Sequence, residues 1–219
     1  MFVTGTDTGV GKTLVSAALL HTLARHHARV VGMKPVAAGL VQEQGAWVSE
    51  DVLMLRAAST VRVPPELDNP VALPEPLSPH LAAAHAGRHV GVAELLAAQR
   101  ALLALADVVL VEGAGGWRVP LNDHETLADL ARAMAAPVVL VVGLRLGCLN
   151  HALLTAEAIR ADGLTLVGWV ANSVDPAMAC RDENIDSLRQ RLHTPLLGVV
   201  PWLAAPDPRA LTLQVPDLW

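Results

Sequence analysis

The segment Gly5-Thr6-Asp7-Thr8-Gly9-Val10-Gly11-Lys12-Thr13 has the composition of a loop that holds phosphate. Glycines let the backbone curl until several N–H groups point into one concavity. An apolar run precedes the loop and an alanine- and leucine-rich run follows it. A strand therefore enters and a helix leaves, and the helix adds the positive end of its dipole to the concavity. In that frame Gly9, Val10, Gly11 and Leu14 supply loop backbone. Lys12 reaches the β- and γ-phosphates of a nucleotide, and the Thr13 hydroxyl ligates magnesium. Five residues separate Gly5 from Gly11, one more than in the general motif.

Such a loop needs an acid on a neighbouring strand. The run Val108-Val109-Leu110-Val111 ends in Glu112 and continues Gly113-Ala114-Gly115-Gly116. A carboxylate at the end of a buried strand is costly unless it is paired or metal-bound, and the small residues after it permit close approach of a ligand. Lys34 ends another apolar run, in Gly32-Met33-Lys34-Pro35-Val36, and lysine is rarely buried without an anionic partner. Asp51 opens a helix in Ser49-Glu50-Asp51, where it either caps the helix or ligates the metal, with Glu50 as the alternative acid.

The elements that must position these groups follow from the hydropathy pattern. Candidate strands at 2–4, 29–36, 108–111, 138–142, 166–170 and 197–200 are mostly continuous apolar runs, as in strands covered on both faces. Helical stretches at 12–27, 50–58, 92–106, 126–135, 149–161 and 179–192 alternate with them. This is the pattern of a single-domain α/β fold over residues 1–219, with a mostly parallel sheet and helices on both faces. Ligands of such sheets bind beyond the carboxyl ends of the strands. Gly5, Lys34, Glu112 and Asn172 all fall there. Residues 63–79 carry six prolines and are expected to be an ordered, irregular loop over the site; residues 204–219 are expected to be an irregular tail.

Composition limits the alternatives. The chain has 219 residues, of which 53% are hydrophobic and 17% charged, enough for one domain to bury about 70% of the surface of its unfolded chain. A mean hydropathy of +0.41 raises the question of a membrane. The longest uncharged apolar stretch, in 133–144, contains Pro137 and falls short of the roughly 18 residues that span a bilayer. A net charge of −5 argues against nucleic-acid binding by bulk electrostatics. Two cysteines, Cys148 and Cys180, are too few and too far apart for a disulfide framework or a zinc knuckle. His80, His85 and His89 cluster, but spacings of five and four do not place all three on one helix face. The first strand begins at Phe2, which leaves no room for a targeting segment, so a cytoplasmic location is expected.

The order and spacing of several segments resemble the dethiobiotin synthetase family over nearly the whole chain. They are Phe2-Val3-Thr4-Gly5-Thr6-Asp7-Thr8 with Val10-Gly11-Lys12-Thr13; Lys34-Pro35-Val36-Ala37; and Glu75-Pro76-Leu77-Ser78-Pro79-His80. Further along stand Val111-Glu112-Gly113-Ala114-Gly115-Gly116-Trp117, Leu146-Gly147-Cys148-Leu149-Asn150-His151, Gly168-Trp169-Val170-Ala171-Asn172 and Pro201-Trp202-Leu203. The extra residue in the phosphate loop is similar to this family's own version.

The resemblance implies a homodimer of seven-stranded α/β subunits that uses MgATP and CO2, or bicarbonate, to close a ureido ring on 7,8-diaminononanoate. It places Lys12, Lys34 and Thr8 at the reacting groups and Thr13, Asp51 and Glu112 on Mg²⁺. Gly113, Ala114 and Gly115 then lie along the nucleotide, and Asn172, Ser173, Pro201, Trp202 and Leu203 around its base. Ala38, Ser78 and Pro79 contact the diamine. Gly147, Cys148, Leu149 and Asn150, at a helix start near Arg145, receive the diamine's carboxylate across the dimer interface, Cys148 through its backbone amide. Ala38 stands where many relatives have serine and Gly9 where some have glutamate. The chain has no tyrosine, and Asn184 lies near the position of an aromatic hydroxyl in relatives. A ParA/MinD-type switch ATPase, the nearest alternative, would carry a second lysine where Asp7 stands.

Overall fold

In the computed structural model, which describes residues 1–43 and 45–215, the valine-rich runs become strands and the alanine-rich runs become helices. Strand β1 (Phe2–Gly5) leads through the glycine loop into α1 (Lys12–Leu23), then β2 (Val30–Met33) and β3 (Val36–Ala38). A hairpin of β4 (Val41–Glu43) and β5 (Ala46–Val48) precedes α2 (Glu50–Ala58), α3 (Pro65–Asp68), β6 (Val71–Leu73), α4 (Pro79–His85) and α5 (Val92–Leu103). The chain continues through β7 (Val108–Glu112), α6 (Leu127–Met134), β8 (Val138–Leu144), α7 (Cys148–Ala161), β9 (Leu166–Ser173), α8 (Arg181–Leu192) and β10 (Leu196–Val200). One 3₁₀ turn at Pro208–Ala210 lies in the otherwise irregular tail, whose residues 216–219 fall outside the described set.

Six strands form one parallel sheet in the order β10-β9-β8-β1-β7-β2. Alternate residues of the central strands serve opposite layers, as the two-residue period of a strand requires. Val109, Val111, Leu140 and Val142 face a layer made by α5, α6, α7 and α8. Val108, Leu110, Val139 and Val141 face α1 and α2. Every residue of β7 and β8 is buried, which accounts for their lack of polar alternation. No described helix is long and apolar enough to cross a membrane.

Two expectations about backbone need correction. The strand expected over 29–36 is broken, because Pro35 has no N–H to donate to a ladder. β2 pairs with β7, whereas β3, beyond the break, pairs in parallel with β6. Among the described residues the main sheet therefore has six strands, not the seven expected; β6 joins β3 in a separate two-stranded ribbon. Residues 63–79 are not irregular throughout. Pro65 and Pro79 stand at the starts of α3 and α4, where a missing N–H costs nothing, and β6 lies between them. Helices α1 and α5 also stop short of the expected ends, with tight turns at Ala24–His27 and Ala104–Ala106.

The break at Pro35 positions Lys34. Its N–H donates to the Asp68 carbonyl at 2.8 Å, and its carbonyl accepts from Asn69 Nδ2 at 2.7 Å. The main chain is thereby fixed at the carboxyl end of β2 while the side chain crosses toward β7.

Candidate active site

The phosphate loop is held open from beneath. Gly9 and Gly11 adopt left-handed φ of +73° and +84°, a conformation that favours glycine. Asn172, buried near the end of β9, donates from Nδ2 to the Val10 carbonyl at 2.8 Å. The Val10 side chain is buried so close to β8 that a Cβ on Gly143 would stand 2.7 Å from it. Asn172 thus supports the loop with one N–H and keeps its other N–H and its Oδ1.

Four groups converge above the loop. Thr13 Oγ1 lies 2.7 Å from Asp51 Oδ1 and 2.9 Å from Glu112 Oε1, so its single proton goes to one of the two carboxylates. Lys34 Nζ lies 2.7 Å from Asp51 Oδ2 and 2.5 Å from Glu112 Oε1. Glu112 is fully buried, and its Oε2 has no hydrogen-bond partner among the described residues. The helix start is capped by Ser49, whose Oγ accepts from the Val52 N–H at 3.4 Å. Asp51 is therefore free of capping and turns to Thr13 and Lys34, whereas Glu50 is exposed and lines a different cavity.

The electrostatics follow from burial and pairing. Burial alone would raise the Asp51 carboxyl; the charge of Lys34 and hydrogen bonds from Lys34 and Thr13 outweigh it and hold the group below the usual carboxylate range. Burial likewise disfavours the Lys34 ammonium, but Glu112 and Asp51 outweigh it and raise the group above an ordinary lysine. Lys12 is only 7% exposed and donates to the Asp7 carbonyl at 2.9 Å. Burial first, then repulsion from Lys34, pushes it down to about 8. A polyanion beside Lys12 would offset that penalty. Lys12 and Lys34 are the only lysines in the chain.

These groups line a cavity of about 760 Å³, together with Thr8, Gly9, Gly11, Ala38, Ser78, Pro79, Ala114 and Gly115. A hydroxyl and two carboxylates are hard oxygen donors, and the unpartnered Glu112 Oε2 leaves a further lone pair directed at no protein group. The set fits Mg²⁺, which takes one or two carboxylates and completes its shell with water and phosphate. Ser173, Pro201 and Trp202 line a second cavity of about 560 Å³ with Cys180 and Asp175. Val10, Leu14 and Gly113 support the loop and the strand without lining either cavity, and Leu203 lines neither.

In the single chain Gly147, Leu149 and Asn150 line neither cavity, and the Cys148 N–H donates to the Arg145 carbonyl at 3.0 Å. The Arg145 guanidinium is paired with Asp7, within the phosphate loop. Asp7 also accepts the Thr8 N–H at 2.7 Å and supplies the carbonyl that holds Lys12. Sequence reasoning gave Asp7 no role in the site, although its place in the loop was the available signal. Pro76, Leu77 and Val119 were missed as cavity walls.

A strand–loop–helix with Lys12 and Thr13, joined by an acid at the end of the adjacent strand, defines a nucleotide-triphosphate-binding α/β domain, and a family model described as AAA domain matches residues 1–210. Over 98% of its length the chain is 54% identical to the ATP-dependent dethiobiotin synthetase BioD of Aromatoleum aromaticum, and it covers 96% of that protein. The chain belongs to this AAA-domain family and, within it, to the dethiobiotin synthetases.

Solved structures share the fold at low identity. A ParA family ATPase from Chlorobium tepidum aligns over 93% of this chain and 85% of its own, with a TM-score of 0.56 and 11% identity. MinD from Pyrococcus horikoshii, complexed with Mg-ADP, aligns over 91% and 80%, with a TM-score of 0.55 and 16% identity. At such identities the likeness shows the fold alone.

Proposed function

We propose that this chain is an ATP-dependent dethiobiotin synthetase that joins 7,8-diaminononanoate and CO2 while converting ATP to ADP and phosphate. The observation that carries the reading is the convergence of both lysines with Thr13, Asp51 and Glu112 in one cavity, in a chain 54% identical to a synthetase of that name.

The chemistry divides among the residues. One amine of the substrate takes up CO2 as a carbamate, losing a proton. A carbamate oxygen attacks the γ-phosphorus, the bond to the β-phosphate oxygen breaks, and ADP leaves. The second amine then attacks the carbamoyl carbon of the mixed anhydride, closing the ring and expelling phosphate. Lys12 and Lys34 offset the negative charge gathered where carbamate meets γ-phosphate, and Thr8 hydrogen-bonds at the reacting end. Thr13, Asp51 and Glu112 would hold Mg²⁺, which when bound would supply positive charge against the phosphate oxygens. Gly9, Val10, Gly11, Leu14, Gly113, Ala114 and Gly115 shape the nucleotide site. Asn172, Ser173, Pro201, Trp202 and Leu203 surround the base. Ala38, Ser78 and Pro79 contact the diamine.

The reading includes a homodimer in the cytoplasm. Leu146 is 95% exposed and Leu154 56% exposed, beside the segment of Gly147, Cys148, Leu149 and Asn150 that resemblance assigns to the diamine carboxylate of the neighbouring subunit. Their exposure supports an apolar contact there. Because Arg145 is paired with Asp7, its assigned contact with the carboxylate becomes an action on the phosphate loop. Arg145→Ala is expected to raise KM for ATP and for the diamine together, each by a few-fold, as suits a half-exposed ion pair. A rise confined to the diamine in steady-state kinetics would restore the direct contact.

The test of function is isotopic. With MgATP, the diamine and ¹³C-bicarbonate, the product is expected to carry one labelled carbon in a ureido ring, read by mass spectrometry. A product without label, or no product, would overturn the reading.

A further inference from the structure

The Lys34 ammonium stands among the donors that fit magnesium. It touches both carboxylates, at 2.7 Å and 2.5 Å, and shares Glu112 Oε1 with the Thr13 hydroxyl. Glu112 Oε2 is free to meet a divalent ion, but the other three carboxylate oxygens of the set, Glu112 Oε1 and both of Asp51, now face Lys34 or the Thr13 hydroxyl. Two cations a few ångströms apart on the same oxygens, in a buried site, also repel strongly. Lys34 and the metal therefore compete.

We propose that Lys34 is the resident counter-cation of the metal site, and that metal binding expels its side chain into the cavity. The main chain stays fixed by Asp68 and Asn69, at 2.8 Å and 2.7 Å, so only the four-carbon stem swings. The cavity of about 760 Å³ that Lys34 lines gives it room, with Ala38 and Ser78 on another wall. The exchange has two consequences. Before metal binds, the buried Glu112 is not left as an uncompensated charge inside the protein, and the half-exposed Asp51 beside it is paired as well. After it binds, a mobile cation is delivered to the part of the cavity where, on the proposed function, the carbamate lies. The acceptor side is then completed only once the metal is in place, which disfavours phosphoryl transfer to water. This step rests on the synthetase reading, but its test reads metal and lysine rather than product, so the two fail separately.

The sequence makes the experiment clean, because Lys12 and Lys34 are the only lysines. Protein labelled with ¹³Cε-lysine gives two lysine signals in a carbon–proton spectrum, and Lys34→Met assigns them. With ADP present throughout, replacing chelator by saturating Mg²⁺ is expected to move the Lys34 signal more than the Lys12 signal. In parallel, nucleotide-free Lys34→Met protein is expected to bind Mn²⁺ at least about tenfold more tightly than wild type, read from the free-ion paramagnetic resonance signal. A Lys34 signal unmoved by Mg²⁺, or equal or weaker Mn²⁺ binding by a folded variant, overturns the exchange. If Lys34→Met does not fold, Lys12→Met assigns the two signals and the wild-type spectrum decides alone.

Discussion

Lys12→Ala lowers turnover by about 10²-fold or more, a loss of roughly 2.7 kcal/mol or greater, the scale set by removing one preorganised donor from a transition state. The expectation rests on placement. The ammonium is 7% exposed, its Nζ is held 2.9 Å from the Asp7 carbonyl, and burial with repulsion from Lys34 pushes it down to about 8. A group held charged under those conditions interacts with a γ-phosphate more strongly than a solvated lysine would. Alanine also relieves the burial penalty in the nucleotide-free protein, so the midpoint of thermal unfolding should not fall while kcat collapses. Turnover within about threefold of wild type would remove Lys12 from the reacting groups.

Gly11→Ala is expected to be the most damaging single methyl in the phosphate loop. The residue has φ +84°, where a Cβ costs about 1–2 kcal/mol, and that Cβ would stand 2.1 Å from Asn172 Nδ2. The amide must move, and its buried hydrogen bond to the Val10 carbonyl, now 2.8 Å, is lost at about 0.5–1.5 kcal/mol. The total of roughly 2–3 kcal/mol predicts a fall in MgADP affinity of about 30- to 150-fold by titration calorimetry. Gly9→Ala is the internal control. It has a similar φ of +73° but nothing within 4 Å of its Cβ, so only the backbone cost applies and affinity falls about 5- to 30-fold, several-fold less than for Gly11→Ala. Equal effects of the two substitutions would show that Asn172 does not support the loop.

What the sequence revealed was local. Gly11, Lys12 and Thr13 form one string, and Glu112 and Lys34 end apolar runs, so type and neighbours announced each of them. The parallel α/β class was equally legible, since continuous valine runs have few other fates. Pairings over long separations were not. Arg145 lies near a helix start and reads as an anion contact; only the folded chain brings it to Asp7, 138 residues away. Of Glu50 and Asp51, it is Asp51 that meets Thr13 and Lys34, because Ser49 takes the capping role; that too could not be read from the string of residues. Prolines misled in both directions. Pro65 and Pro79 read as breakers but begin helices, while Pro35 read as part of a strand and broke it. In each case the outcome depends on whether the missing N–H falls where a partner is needed.

The central claim is that both lysines and the metal donors serve transfer of phosphate to a carbamate built on the diamine. Phosphate release from MgATP, followed continuously while diamine and bicarbonate are added singly and together, tests it most directly. The account predicts release only when both are present, with one phosphate per ureido ring formed. Release as fast without the diamine as with it would contradict the account and identify the chain as an ATPase that serves some other end.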